Sequence, residues 1–387
     1  MSRQRIYLDH AATTPLDARV LEAMLPYFHE TFGNPSSVHF WGQQAEAAVE
    51  ESRRTIASLL GAAPEEILFT SGGTESDNLA LRGTAQAERK RRGATRILTS
   101  PVEHPAVNRT AAQLAEVHGF EWDILPVDRF GVVSPQDLRR ALAPETAVVS
   151  VIYANNEIGT VNPIRELGTI AREAGIPFHS DAVQAPAYLP VNVQELQVDM
   201  LSIGGHKFYG PKGMGALFVR RGSRLTPVLS GGSQESGMRP GTSNVPLIVG
   251  LARALAVASE ERASHAPRLL RLRDRILDEV PRSIPGAHVT GHPRDRLPNH
   301  ASFVFEGVEG NQLLAALDLA GYGCSSGSAC KTGEPEPSEV LLALGLTPDL
   351  ALGSLRVTVG RATTEDEIAS FLGTLPDVVA RLRKTRN

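Results

Sequence analysis

Short apolar runs alternate with amphipathic stretches through the first two-thirds of the chain, and this alternation narrows the possible folds more than any other feature. EEILFT, TRILTS, TAVVSVIYA, IPFHSDA, VDMLSIG and MGALFVR follow one another, with helical patterns between several of them. Short strands that are nearly continuously apolar must be buried on both faces. A largely parallel sheet covered by helices meets that need, which is the α/β class. The chain has 387 residues, too many for one small core and suited to a large domain plus a smaller one. The character changes after Leu251, where a long charged helical stretch leads into a second α+β unit containing ASFVFEG, GNQLLAALDLAG, SLRVTVG and a last helix. Thr364 and Glu367 have the spacing of a capping box at the start of that helix.

The bulk properties exclude several function classes. A net charge of −4 does not suit an electrostatic nucleic-acid or membrane binder. No apolar run reaches the ~18 residues of a membrane span, and the N-terminus MSRQRIYLDH lacks an apolar leader core. A cytoplasmic location is therefore expected. There are two cysteines, Cys324 and Cys330. Cys324 follows an apolar helix and reads as a packed residue. Cys330 lies in SSGSACKTGEPEP, which is too rich in Ser, Gly and Pro to be core.

In open α/β sheets, ligands bind beyond the carboxyl ends of the strands. Five successive strand ends here carry chemically useful residues: Gly72-Gly73-Thr74, Glu103-His104, Asn155-Asn156, Asp181 with Gln184, and His206-Lys207. Gly72-Gly73-Thr74 at a helix start can hold a phosphate through close backbone approach and free N–H groups. It can equally be a plain turn, with Thr74 as N-cap paired to Asp77. Lys207, flanked by glycines after a buried strand, can lose its proton if desolvated and form a Schiff base with an aldehyde. Asp181 can pair with a pyridinium nitrogen, and His104 can stack on a ring and move protons. Each of these residues alone is more often structural. Their convergence on one sheet edge carries the reading. No G-x-G-x-x-G follows the first strand, which disfavours a dinucleotide, and no metal site is expected.

The segments YLDHAATTP, TSGGTESDN, EHPAV, YANNEIGT, HSDAVQ, GGHKFYGPKG, RPGTSN, SSGSAC and SLRVTVGR resemble, in order and over nearly the whole chain, the NifS/IscS-like cysteine desulfurases of the class-V aminotransferases. The resemblance implies a fold-type-I enzyme that binds pyridoxal 5'-phosphate and works as a homodimer. It implies a large cofactor-binding domain over 15–260 and a small domain made of 1–14 and 261–387. Lys207 matches the lysine bonded to the cofactor, His104 the ring-stacking histidine and Asp181 the partner of the ring nitrogen. Asn155 and Gln184 match contacts to the ring hydroxyl, with Asn155 also near the substrate. Gly73, Thr74 and His206 match the phosphate site, to which Thr242 is contributed by the partner subunit. Arg356 matches the arginine that holds the substrate carboxylate, assisted by Asn34. Cys330 matches the sulfur acceptor.

The activity implied is conversion of L-cysteine to L-alanine with a persulfide left on Cys330. The sulfur would pass to an iron–sulfur scaffold or another acceptor protein. Sulfur donation for tRNA thiolation and selenocysteine lyase activity are the alternatives within the group, and another pyridoxal-phosphate enzyme or a non-catalytic scaffold lies outside it. No membrane and no direct nucleic-acid contact is expected. Two positions depart from the family pattern. Gly204 stands where a phosphate-binding serine is usual, with Ser202 the nearby hydroxyl, and Lys331 follows the cysteine where small hydroxyl residues are common.

Overall fold

The computed structural model describes residues 5–327 and 336–386. Its strands, in chain order, are β1 (Ile6–Tyr7), β2 (Ile67–Thr70), β3 (Arg96–Thr99), β4 (Glu121–Ile124), β5 (Thr146–Ser150) and β6 (Phe178–Asp181). They continue with β7 (Met200–Gly204), β8 (Gly215–Val219), β9 (Ala287–Val289), β10 (His300–Phe305), β11 (Tyr322–Gly323) and β12 (Ser354–Thr358). Seven form one sheet in the order β2-β8-β7-β6-β5-β3-β4. All neighbours in it are parallel except β8, which runs antiparallel to both β2 and β7. Every residue of β2, β5, β6 and β7 is buried, which is why their sequences carry no polar alternation. Side chains such as the fully buried Phe178 each contribute about 1.5–3 kcal/mol of burial.

The chain returns between parallel strands through helices, so β3, β5, β6 and β7 deliver their carboxyl ends to one edge. The first of the flanking helices, Gly73–Arg92, starts directly after β2. Its N-cap, Gly72, has φ 151° and ψ −177° and uses no side chain to cap the helix. That backbone region is open essentially to glycine alone. A side chain on Gly73 would meet Val183 Cγ2 at 2.5 Å. The helix start therefore presses against the residue two beyond Asp181. Thr74 lies inside the helix and is not its cap, because the glycine turn places the cap two residues earlier, at Gly72.

The helix Val245–Ser283 runs 39 residues. Its first half, through Ala258, packs into the core beneath the large sheet. Its second half, from Leu269 to Val280, packs into a separate core with β10, β12 and the last helix. In the second core, β12, β10 and β9 form an antiparallel sheet. Strand β1 pairs in parallel with β11, and Asp9 bridges to Thr358. The last helix begins with reciprocal bonds: Glu367 N–H donates to Thr364 Oγ1 at 3.2 Å, and Thr364 N–H donates to Glu367 Oε2 at 2.9 Å. This is the capping box that the sequence signals. Among the described residues, no helix is long and apolar enough to cross a membrane.

Candidate active site

The sheet edge, the first turn of Gly73–Arg92 and the N-terminal segment enclose a cavity of about 320 Å³. Gly73, Thr74, His104, Asp181, Gln184, His206, Lys207 and Arg356 all line it, together with Ala11, Ala12, Asp77, Ile152, Asn156 and Val183. The residues from separate strand ends meet because parallel strands share one carboxyl edge.

Lys207 follows β7 and points its amine at the N-terminal segment. Nζ donates to the carbonyls of Ala11 at 2.6 Å and Ala12 at 2.8 Å. Burial and the nearby Arg356 charge lower its pKa to about 8, against the pull of Asp181 and Asp9. His104 caps the helix Pro105–His118, its Nδ1 accepting from Ala106 N–H at 3.1 Å. That bond leaves the ring proton on Nε2, and burial lowers the pKa, so the ring is neutral. Burial also depresses His206 to about 4, helped by Lys207 and Lys212. His206 Nδ1 lies 3.1 Å from Thr13 Oγ1. Gln184 Nε2 donates to Ala11 O at 2.9 Å.

Asp181 accepts from Val183 N–H at 2.8 Å. Burial raises its pKa, while His104 and Lys207 oppose the rise. Behind it, His179 sits between Ser150 Oγ and Ser202 Oγ, each 2.9 Å away. Ser202 is thus engaged with His179 and is absent from the cavity lining. Asp77 is 1 % exposed and its Oδ1 has no hydrogen-bond partner among the described residues. Burial, then the charge of Asp181, pushes its pKa well up. Asp77, His104 and Asp181 bring their ligating atoms within 4.8 Å of one another, a cluster that belongs to this cavity.

Arg356 in β12 reaches in from the second core. Nη1 donates to Asn156 O at 2.9 Å and Nη2 to Asp9 Oδ1 at 2.8 Å, while the buried Nε has no hydrogen-bond partner among the described residues. Asn155 is turned to other work. Its Oδ1 accepts from the backbone of Glu157 and Ile158, and its Nδ2 donates to Val102 O. It does not line the cavity, where its neighbour Asn156 appears instead. Asn34 is exposed and its Oδ1 accepts from Ser36 N–H at 3.0 Å. Thr242 is also exposed, and neither residue lines the cavity. Cys330 and Lys331 lie outside the described residues. Cys324 packs partly buried against the second core, and desolvation with the charge of Asp9 pushes its thiol pKa up.

Sequence reasoning gave no part in the site to Asp9, read Asp77 only as a capping partner of Thr74, and assigned the contact to Asn155 and not to its neighbour Asn156. Asp9 stands within YLDHAATTP and Asp77 within TSGGTESDN, but nothing local says which distant group each one meets.

These features fit pyridoxal phosphate. The helix N-terminus has a glycine cap and no side-chain capping hydrogen bond, which suits a phosphate. A desolvated amine suits an aldehyde. Asp181 is a buried carboxylate whose charge would be stabilised by a cationic ring nitrogen. A Cβ on Gly204 would sit at ordinary contact distances, 3.4 Å from Val183 Cγ1 and 3.5 Å from Gly73 N. The absent side chain thus leaves room beside the helix start.

Comparison with known proteins agrees. The family model "Aminotransferase class-V" matches residues 6–371. A protein of Methanosarcina thermophila named cysteine desulfurase IscS is 47% identical over 378 residues, 98% of this chain and 93% of the relative. One of the same name from Dictyoglomus turgidum is 47% identical over 381 residues, 98% and 96% of the two chains. A solved structure titled NifS-like protein superposes with a TM-score of 0.90 at 35% identity, covering 98% of this chain and 100% of that one. The structure titled SspA in complex with cysteine gives 0.78 at 36% identity, covering 91% and 98%. With this cavity at the strand ends and such likeness over nearly its full length, the chain belongs to the class-V aminotransferase family, among its cysteine desulfurases.

Proposed function

We propose that the cavity binds pyridoxal phosphate and L-cysteine, and that the protein releases L-alanine while Cys330 takes the sulfur, which passes to iron–sulfur cluster assembly. The observation that carries this reading is the meeting of Lys207, Asp181, His104 and Arg356, from separate strands and both cores, around one cavity. When bound, the cofactor supplies an aldehyde for covalent attachment and a ring that draws electrons from the substrate's α-carbon. Lys207 provides the attaching amine, whose lowered pKa leaves a usable neutral fraction. Once free, the same amine can carry the substrate's α-proton. Asp181 holds the ring nitrogen. The neutral His104, with its proton on Nε2, is placed to exchange protons at the cavity. Arg356 holds the substrate carboxylate through donors that include Nε, which has no partner among the described residues. A thiolate on Cys330 bonds to the substrate sulfur as the carbon–sulfur bond breaks, and a proton completes the methyl group of alanine.

A homodimer and a division near residue 260 belong to the same proposal. What supports the dimer is an apolar surface around Asn34: Val38 is 90% exposed, Phe32 65%, Phe40 63% and Phe28 57%. Monomers rarely leave such a cluster uncovered. Asn34 and Thr242, both exposed, would then serve across the interface.

The test is turnover. With L-cysteine, the purified protein should form alanine and protein-bound sulfane sulfur in equal amounts. Alanine without persulfide would favour a lyase, and faster turnover of selenocysteine by orders of magnitude would favour selenocysteine lyase. The lysine pKa adds a pH dependence. The amine is protonated and non-nucleophilic below about 8. Capture of added pyridoxal phosphate by cofactor-free protein should therefore speed up about tenfold per pH unit below that value and level off above it. Stopped-flow absorbance would follow it, and an inflection near that of an ordinary lysine would contradict the desolvated amine.

A further inference from the structure

Arg356 does not hold its place alone. Asp9 uses both carboxylate oxygens in described contacts: Oδ1 accepts from Arg356 Nη2 at 2.8 Å and Oδ2 accepts from Ser325 Oγ at 2.7 Å. Ser325 is in turn tied to the backbone of Arg356, with Arg356 N–H donating to Ser325 O at 2.7 Å and Ser325 N–H to Arg356 O at 3.3 Å. The backbone of Asp9 bridges to Thr358, two residues past Arg356 on β12. The side chains of Asp9 and Arg356 are 15% and 8% exposed, so solvent competes little for the pair. An arginine has several rotatable bonds, and a carboxylate ligand is bound well only by a guanidinium held in one orientation. Among the described residues, Asp9 supplies one of the two hydrogen bonds that fix the Arg356 side chain, and Asn156 O supplies the other. The buried Nε, which has no hydrogen-bond partner among the described residues, is a donor still open to a ligand.

We infer that Asp9 is a positioning residue for the substrate carboxylate: it acts through Arg356, by the location of its oxygen and not by its charge. This rests on the reading of Arg356 as the carboxylate site. A purely structural Asp9, closing the N-terminal segment onto β12, would have no reason to distinguish ligands with a carboxylate from those without one. Charge points the other way. A second anion beside Asp9 is repelled by it, so a role through charge alone would weaken substrate binding.

Two substitutions separate position from charge. Asp9→Asn keeps an oxygen for Arg356 and an amide for Ser325 but removes the charge. Asp9→Glu keeps the charge and moves the oxygen by one methylene. Each would be made as cofactor-loaded protein and titrated with L-alanine and with L-alanine methyl ester, following the cofactor absorbance, alongside Arg356→Ala. The expected result is that Asp9→Glu weakens alanine binding about tenfold and ester binding less than twofold, while Asp9→Asn stays within threefold of the parent for both. Equal losses for alanine and ester, or a loss in Asp9→Asn as large as in Asp9→Glu, would overturn the inference. So would an unchanged Asp9→Glu beside an Arg356→Ala that loses alanine binding, a result that leaves the carboxylate reading standing. If Arg356→Ala itself binds alanine normally and the ester no better, the carboxylate reading falls and takes this inference with it.

Discussion

Cys330→Ala should lose alanine formation from L-cysteine by about a thousandfold or more while keeping its cofactor and its ability to bind cysteine, since removing a nucleophile costs rates of that order. Nothing else among the described residues can replace it. Cys324 is the other cysteine, and its surroundings work against reaction. It packs partly buried against the second core, and burial followed by the charge of Asp9 pushes its thiol pKa up. The thiolate is the reactive form, so at neutral pH Cys324 offers almost none of it. Cys324→Ala should keep substantial activity and lose roughly 1 kcal/mol of stability, the ordinary size of a partial packing loss. Mass spectrometry of trapped persulfide, with alanine measured for both variants, decides the matter. Sulfur mapped to Cys324, or sustained turnover by Cys330→Ala, would overturn the sulfur-transfer step and leave the cofactor assignment intact.

Lys207→Ala should abolish covalent attachment of pyridoxal phosphate, and activity should fall by about a thousandfold or more with the loss of the group that both attaches the cofactor and carries the proton. Borohydride reduction of the parent protein should fix the cofactor on the peptide containing Lys207 and on no other. Lys212 is the nearest competitor in sequence, but it is exposed and absent from the cavity lining. Reduced adduct found on Lys212 would show that the amine held by Ala11 and Ala12 is a structural one.

The parts of this molecule that could be read from sequence are those governed by periodicity. Mainly apolar runs give β2, β3, β5 and β7, while β6 (FHSD) is buried without being apolar. The parallel rule then gathers their ends, so His104, Asp181 and Lys207 meet as the alternation implies. The Thr364–Glu367 box was legible because both partners lie within one turn. Three features were not. Which of Asn155 and Asn156 faces the cavity depends on a turn in which Asn155 Oδ1 ties down two following N–H groups, and adjacent identical residues carry no sign of it. Thr74 looks like a cap, yet the unusual φ of Gly72 moves the helix start. The carboxylates of Asp9 and Asp77 acquire meaning only from distant partners. Asp9 and Arg356 are 347 residues apart, beyond the reach of any local pattern.

That separation also sets a clock on synthesis. A ribosome adds residues at about 5–20 per second, so roughly 17–70 s pass between the emergence of Asp9 and that of Arg356. For most of that interval, until Gly323 has emerged, β1 has no β11 to pair with, and the carbonyls of Ala11 and Ala12 wait about 200 residues for the Lys207 amine. The large sheet, by contrast, is complete once β8 has emerged at Val219. The nascent chain thus has a span in which the cofactor lysine is made and its sheet can form, while the arginine on β12 does not yet exist.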